Sequence, residues 1–384
     1  MLPSQRHLFD MPRDVCFLNA AAWSPLPLAS VEAGRIGAAR KARPWELSDA
    51  LQEVQCERAR SAAAALIHAE ADDVALIPSV GYGVATAGKL LDLPRGSRIL
   101  VLDRDHTSPV LEWMARTEAA DHRVEAIAPG ADGDWTAALE EALARPGEPP
   151  VALASISCVH WSDGGLIDLE RVQTALRPHG GKLLVDATHA AGVLDLDVAA
   201  LDPDFLIFPT YKWLLGPYGR AFLYVARRHQ SGVPLEQTGY GRKRIRSADP
   251  VYFEDLDYVE TARRFDMGER DFFVSLDVAA TSMEQVLAWG VDAVRARLAM
   301  LTARIEDVLR TERVPVTWLD RSLRAPNLLG LGFPDGMPEG LPERLAHRGV
   351  YAAARLGRLR ISPHVYNDEA DCTRCVEVLR DLLR

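Results

Sequence analysis

Six short apolar runs, rich in β-branched residues, recur through the first 225 residues. They are VALIP from Val74, RILVLD from Arg98, VALASIS from Val151, KLLVDA from Lys182, FLIFP from Phe205 and AFLYVA from Ala221. Between them lie segments such as TAALEEALAR and LERVQTALR, whose apolar residues recur at the helical period. A strand that is apolar on both faces has to be covered on both faces, and crossover helices provide that cover. The alternation therefore predicts an α/β domain built on a mainly parallel sheet. The last two runs are separated by a short turn-rich link and are close enough to pair antiparallel. After RFDMGERDFF the texture changes. A long helical stretch from Ser275 breaks at Gly290, then short strands (NLLGLGF, RLRISP), Pro/Gly loops and a closing helix follow. This predicts a large domain over 23–270 and a small α+β domain made of 1–22 and 271–384.

Composition excludes some partners. The 384 residues are 48% hydrophobic and 26% charged with a net charge of −10. No basic run or basic–aromatic interleaving is present, which argues against nucleic acid. No apolar stretch is long enough to span a bilayer and the start shows no leader pattern, so the expectation is a cytoplasmic protein without a membrane segment. Five scattered cysteines, an odd number, suit a reducing compartment. Cys372 and Cys375 have CxxC spacing, but no strand leads into them and no second ligand pair follows. They read as two thiols on one face of the closing helix.

The chemistry gathers around Lys212, in FPTYKWLLGPYGRAFLYV. A lysine in such apolar company needs a partner. It follows a strand at the C-terminal edge, where open α/β sheets place their ligands. The preceding strand, KLLVDATHAAG, brings Asp186 and His189 to the same edge. An amine, a carboxylate and an imidazole there suit pyridoxal phosphate (PLP): a Schiff base to the lysine, and a carboxylate to keep the pyridine nitrogen protonated. A structural Lys–Asp pair beside a chance histidine is the competing explanation. IPSVGYGVATAGK supplies a strand end and a helix start whose N–H groups suit an anion. Within it GVATAGKL matches a nucleotide-binding loop, yet Leu90 stands where Ser or Thr is needed and the glycines sit inside a helical pattern. His106 falls at another strand end, where an imidazole can stack on a pyridine ring. Trp23, Trp113, Trp161 and Tyr240 are candidates for an apolar substrate pocket, although aromatics at such spacings are more often core.

Together LLVDATHAAG, TYKWLLGPYGRAFLYV, RFDMGERDFF and RLRISPHVYNDEAD resemble the ordered motifs of the class V aminotransferase family of fold-type I PLP enzymes, which includes cysteine desulfurases, kynureninases and isopenicillin N epimerase-like proteins. The resemblance covers nearly the whole chain. It implies a seven-stranded, mainly parallel sheet with a small α+β domain. It also implies PLP on Lys212, Asp186 at the ring nitrogen, His189 near the phenolic oxygen and His106 stacked on the ring. The phosphate would be held by the backbone of Val80 and Gly81 and the hydroxyl of Tyr211. Gly268 would approach the partner subunit's phosphate, implying a homodimer with active sites at the interface. Asn19 and Arg360 would bind the carboxylate of a small-molecule amino-acid substrate. No metal is implied.

Departures from the family pattern narrow the chemistry. Gly81 lacks the hydroxyl many relatives carry, Glu269 stands where desulfurases have Thr, and Cys158, His160 and Trp161 replace a region that supplies an Asn near the phenolic oxygen. HRGVYAAARLGRLRISP, ahead of the arginine motif, contains no cysteine, which disfavours a persulfide-forming desulfurase. A lyase or aminotransferase acting at Cα is expected, with an epimerase or a non-catalytic PLP-fold binding protein as alternatives. Retention of Lys212, Asp186 and Arg360 together speaks against the last.

Overall fold

A computed structural model describes residues 2–245, 253–270 and 273–384. Its strands are β1 (Cys16–Phe17), β2 (Val74–Ile77), β3 (Arg98–Leu102), β4 (Arg123–Ile127), β5 (Val151–Ser157) and β6 (Lys182–Asp186). They continue as β7 (Phe205–Pro209), β8 (Ala221–Val225), β9 (Leu329–Leu331), β10 (Val350–Tyr351), β11 (Ala353–Arg355) and β12 (Arg358–Ile361). The large sheet has seven strands in the order β2-β8-β7-β6-β5-β3-β4. The pairs from β4 through β3, β5 and β6 to β7 are parallel, and β8 runs antiparallel to both β7 and β2. This is the mainly parallel fold-type I sheet that was expected, with the antiparallel last pair.

The strands inside this sheet are buried along their whole length, Lys182 at the start of β6 excepted, because helices cover both faces. One contact bears directly on the site. Helix Val80–Leu90 lies so close to the sheet that a Cβ on Gly83 would meet Ile207 at 2.9 Å and Ile77 at 3.0 Å. Gly83 is therefore the glycine that packing requires, whereas Gly81 faces open space with only Ser79 Oγ at 4.0 Å.

Beyond the large sheet, β11–β12–β9 form a three-stranded antiparallel sheet, and β1 pairs parallel with β10. Helices Ser275–Trp289 and Val291–Thr311 meet at Gly290, the expected break, where φ is +84°. The first of them packs on helices Leu28–Lys41 and Asp49–Ala65, with Arg40 and Gln55 donating to Asp277 and Ser30 bonded to Ser282. The CxxC lies on helix Glu369–Leu383, buried with Cys16, and burial raises all three thiols. Among the described residues no helix is long and apolar enough to cross a membrane, and no cluster suits a metal ion.

Candidate active site

Six strand ends meet at one cavity of about 620 Å³. Residues at or after the ends of β2 (Ser79, Val80), β3 (His106), β5 (Ser157, Trp161), β6 (Asp186, Thr188, His189) and β7 (Tyr211, Lys212), and before β8 (Arg220), line it. β8 contributes its beginning because it runs the other way. A second cavity of about 450 Å³ opens beside the first, lined by Trp23, Arg355 and Arg360 among others. Lys212, His106, Trp161, Tyr211 and Tyr218 line both. Lys212 thus stands where the two spaces join.

Lys212 is buried, and among the described residues no carboxylate is bonded to it. Burial first, then repulsion from Arg360, lowers its pKa to about 7, against an opposing pull from Asp186. Its Nζ lies 3.3 Å from His189 Nε2. On the far side of that ring, Trp213 Nε1 donates to His189 Nδ1 at 3.1 Å. An indole N–H can only donate, so Nδ1 must accept, and the neutral imidazole carries its proton on Nε2. Burial and the nearby cations hold His189 well below the usual histidine range, which keeps it neutral. Asp186 is buried, and Thr188 donates both its N–H and its hydroxyl to Oδ1, while among the described residues no donor meets Oδ2.

The opposite end is a main-chain site. Ser79 caps helix Val80–Leu90, its Oγ accepting from Tyr82 N. The N–H groups of Val80 and Gly81 precede the first helical hydrogen bond and donate to nothing among the described residues. Such a start binds phosphate readily. Arg220 lines the same end, its Nε donating to Ser275 Oγ at 2.6 Å. The GxxxxGK decoy is spent in this helix, where Lys89 donates to the carbonyls of Pro234 and Leu235.

The substrate side is cationic. Arg360 is 1% exposed, donates Nη1 to the Trp161 carbonyl at 2.9 Å, and leaves Nε buried without an acceptor. Among the described residues no carboxylate pairs with it. Trp23 and Tyr218, both 65% exposed, stack at 5.3 Å across the mouth, and Tyr218 leans on Tyr211 at 4.5 Å.

Not every expected residue reaches the cavities. His106 lines both and meets Trp161 edge-on at 5.9 Å. Asn19 lines neither: its backbone bridges Ser362 and its Oδ1 is buried without a donor. Gly268 is also outside, its N–H held by Glu236 of the same chain, and Asp271 and Phe272 of its motif lie outside the described residues. Of the four candidate pocket aromatics, Trp23 and Trp161 line the cleft. Trp113 is instead a core residue under the sheet, and Tyr240 packs against Arg270. Among Cys158, His160 and Trp161 only Trp161 reaches the cleft; Cys158 is in the core and His160 stacks on Trp135 with Nδ1 bonded to Asp163. The sequence reading missed Thr188, Trp213 and Arg220. A hydroxyl two residues after Asp186 was the one available signal for Thr188.

A depressed lysine, a carboxylate with a free oxygen and a helix start on this sheet edge fit PLP, and together with the sheet they define a fold-type I enzyme that uses it. The family model for aminotransferase class-V matches residues 41–372. The chain is 26% identical over 322 residues to the uncharacterized aminotransferase YcbU of Bacillus subtilis strain 168, covering 84% of this chain and 82% of that protein. It is 27% identical over 380 residues to isopenicillin N epimerase of Streptomyces clavuligerus, covering 94% and 93%. A solved structure of a C-DES mutant with glycine covalently linked to its PLP cofactor matches with a TM-score of 0.86 at 20% identity, over 98% of this chain and 99% of that one, a likeness of fold. The chain belongs to the class-V aminotransferase family of PLP-dependent enzymes.

Proposed function

We propose that the enzyme acts at the Cα of an α-amino acid, as a lyase or an aminotransferase. Arg360 carries this reading: a buried guanidinium without an acidic partner, next to the space Lys212 opens into. Burial and the repulsion of Arg355 press on its charge, so an incoming carboxylate relieves a cost already present. Two parallel N–H donors fix the carboxylate's orientation, and that orientation selects which Cα bond is broken. When bound, PLP supplies a sink for the electron pair left at Cα. Lys212, whose amine titrates near pH 7, suits the taking and returning of a proton there. Asp186 would hold the ring nitrogen through Oδ2, Val80, Gly81 and Tyr211 the phosphate, and His106 the ring face. His189 would present its Nε2–H to the phenolic oxygen.

The test is a panel of amino acids added to the holoenzyme, followed by cofactor absorbance, with products identified by mass spectrometry. Transfer requires a 2-oxo acid acceptor; elimination does not. Similarity to isopenicillin N epimerase over 94% of the chain favours epimerisation as the second reading. It would show as solvent deuterium at Cα without net breakdown. If no amino acid alters the absorbance, the catalytic reading fails and a non-catalytic PLP-fold binding protein takes its place.

We infer further that the enzyme forms no persulfide from cysteine. All five cysteines are buried, none lines the cleft, and burial raises the Cys158 thiol. Sulfur transfer from cysteine that vanished on replacing Cys372 and Cys375 would refute this. A homodimer is proposed as well, with Asn19 closing on the substrate and Gly268 reaching the partner's phosphate once Glu236 releases it; sedimentation would test the dimer. The division into 23–270 and 1–22 plus 271–384 is supported by the pairing of β1 with β10, with helix Ser275–Trp289 as the joint.

A further inference from the structure

The wall that carries Arg360 carries a second arginine. β11 and β12 pair antiparallel with Ala353 opposite Arg360 and Arg355 opposite Arg358. Residues directly opposite, and those two apart on one strand, project from the same face of a sheet. Arg355, Arg358 and Arg360 therefore leave the hairpin on one side, and three like charges need somewhere to go.

Arg358 goes toward Asp163, whose carboxyl it helps hold below the usual range, and its Nη1 lies 3.1 Å from where a Cβ on Gly332 would stand. Arg355 and Arg360 stay on the cavity. The Arg355 guanidinium lies 6.0 Å from the centre of the Trp161 ring, and its Nη1 donates to the carbonyl of Ala354 at 2.7 Å. Among the described residues no acid pairs with it. Its charge pushes down Arg360, Lys212 and His106, so it faces the same space as all three.

Scarcity of acids does not explain this. The chain has 54 acidic residues to 44 basic ones. Several buried arginines find carboxylates, Arg60 on Asp266, Arg324 on Glu306 and Arg6 on Asp371, while Arg264 and Arg297, which do not line the cleft, are held by main-chain carbonyls. Among the described residues Arg355 and Arg360 bring two guanidiniums without an acidic partner to one cavity wall, and an α-carboxylate gripped by two parallel donors of Arg360 leaves Arg355 still without one.

We propose that Arg355 forms a second anion subsite, so that the substrate is an α-amino acid whose side chain ends in a carboxylate. This rests on the reading that Arg360 holds the α-carboxylate. The side chain runs from Cα past Trp161 to Arg355, and its terminal charge takes the place of the missing acidic partner.

The experiment uses dicarboxylic acids that lack an amine, so that no chemistry at Lys212 is involved. Succinate, glutarate and adipate are each titrated into the holoenzyme by calorimetry, beside the corresponding monoamides. At least one diacid should bind about 10- to 100-fold more tightly than its monoamide, the range expected of a charge-assisted contact. In Arg355→Met that ratio should fall to near one, with Arg355→Lys intermediate. Arg360→Met should weaken diacid and monoamide alike. Ratios near one at all three lengths in the wild type would overturn the proposal. So would an Arg355→Met variant that weakens both ligands equally, which means both arginines share one carboxylate, or one that leaves the ratio intact. If the diacid preference holds while no amino acid shifts the cofactor absorbance, the subsite stands and the Cα reading above fails.

Discussion

At one end of the cleft main-chain N–H groups stand beside an arginine already bonded to Ser275; at the other the donors are long cationic side chains. The helix start at Val80 is fixed by its Ser79 cap and by the close seat of Gly83 on Ile207. Arg360 and Arg355 stand on a hairpin outside the large sheet, held by carbonyls of Trp161 and Ala354 rather than by acids. The difference suits what each end is proposed to hold. A phosphate that stays bound is served by donors that lose no freedom when they bind it. A substrate that comes and goes is better served by charges whose partner is the substrate itself. Lys212 lies between, its pKa lowered first by burial and then by Arg360 of the cationic end.

The largest expected effect falls on the junction. Lys212→Ala should lower turnover by about 10⁴-fold, in the range of losing an essential proton-transfer group. Borohydride reduction and peptide mapping of the wild type should find the cofactor on Lys212. A label elsewhere, or a protein that stays colourless with added PLP, would remove the basis for contrasting the two ends.

Arg360→Lys comes next. One ammonium cannot reproduce a two-donor grip, so kcat/KM should fall about 100-fold with PLP content unchanged. Arg358→Ala should do little. Loss of PLP from the Arg360 variant would show that the two ends are not separable.

Trp213→Phe tests the ring between them. Without the indole donor His189 is free to take the other tautomer, and turnover should drop roughly tenfold with a smaller change in KM and an altered pH profile. An unchanged profile would mean that Trp213 only packs.

The pH response of cofactor uptake sharpens the electrostatic side. Lys212 has a folded-state pKa lowered to about 7, so its reactive neutral form is lost below that pH and present above it. Uptake of PLP by the cofactor-free protein should rise through pH about 7 and level off above it; a rise only near pH 10 would show an unperturbed amine. The smallest effect belongs to the phosphate end. Gly83→Ala should destabilise the fold by about 1–3 kcal/mol, seen as a lower Tm, because Ile207 and Ile77 must shift.

Much of this was legible in the chain because the parts that carry it are local. A strand buried on both faces shows as an apolar run, and six of the seven large-sheet strands did. The seventh, β4, was missed. It is an edge strand, RVEAI, and unlike the other edge strand β2, which is buried throughout, only its last residue is buried, so it has no apolar run to read. Asp186 and Lys212 could be singled out because one ends β6 and the other follows β7 by three residues, at the C-terminal edge where such sheets bind ligands.

Side-chain direction, by contrast, was decided only in three dimensions. Trp213 next to Lys212 reads as core, and its grip on His189 depends on how the loop after β7 meets the loop after β6. Trp113 and Trp161 look alike in the chain, yet one lies under the sheet and the other lines the cleft. Arg355, Arg358 and Arg360 are close in sequence, and strand register places all three on one face. Which of them lies within the electrostatic reach of Asp163 depends on a residue nearly two hundred positions earlier. Sequence by itself determined the sheet, the lysine and its aspartate, since apolar period and strand ends are local properties. Tertiary structure decided the tautomer, the depressed amine and the two unpaired arginines, because each arises from groups far apart in the chain that burial forces together.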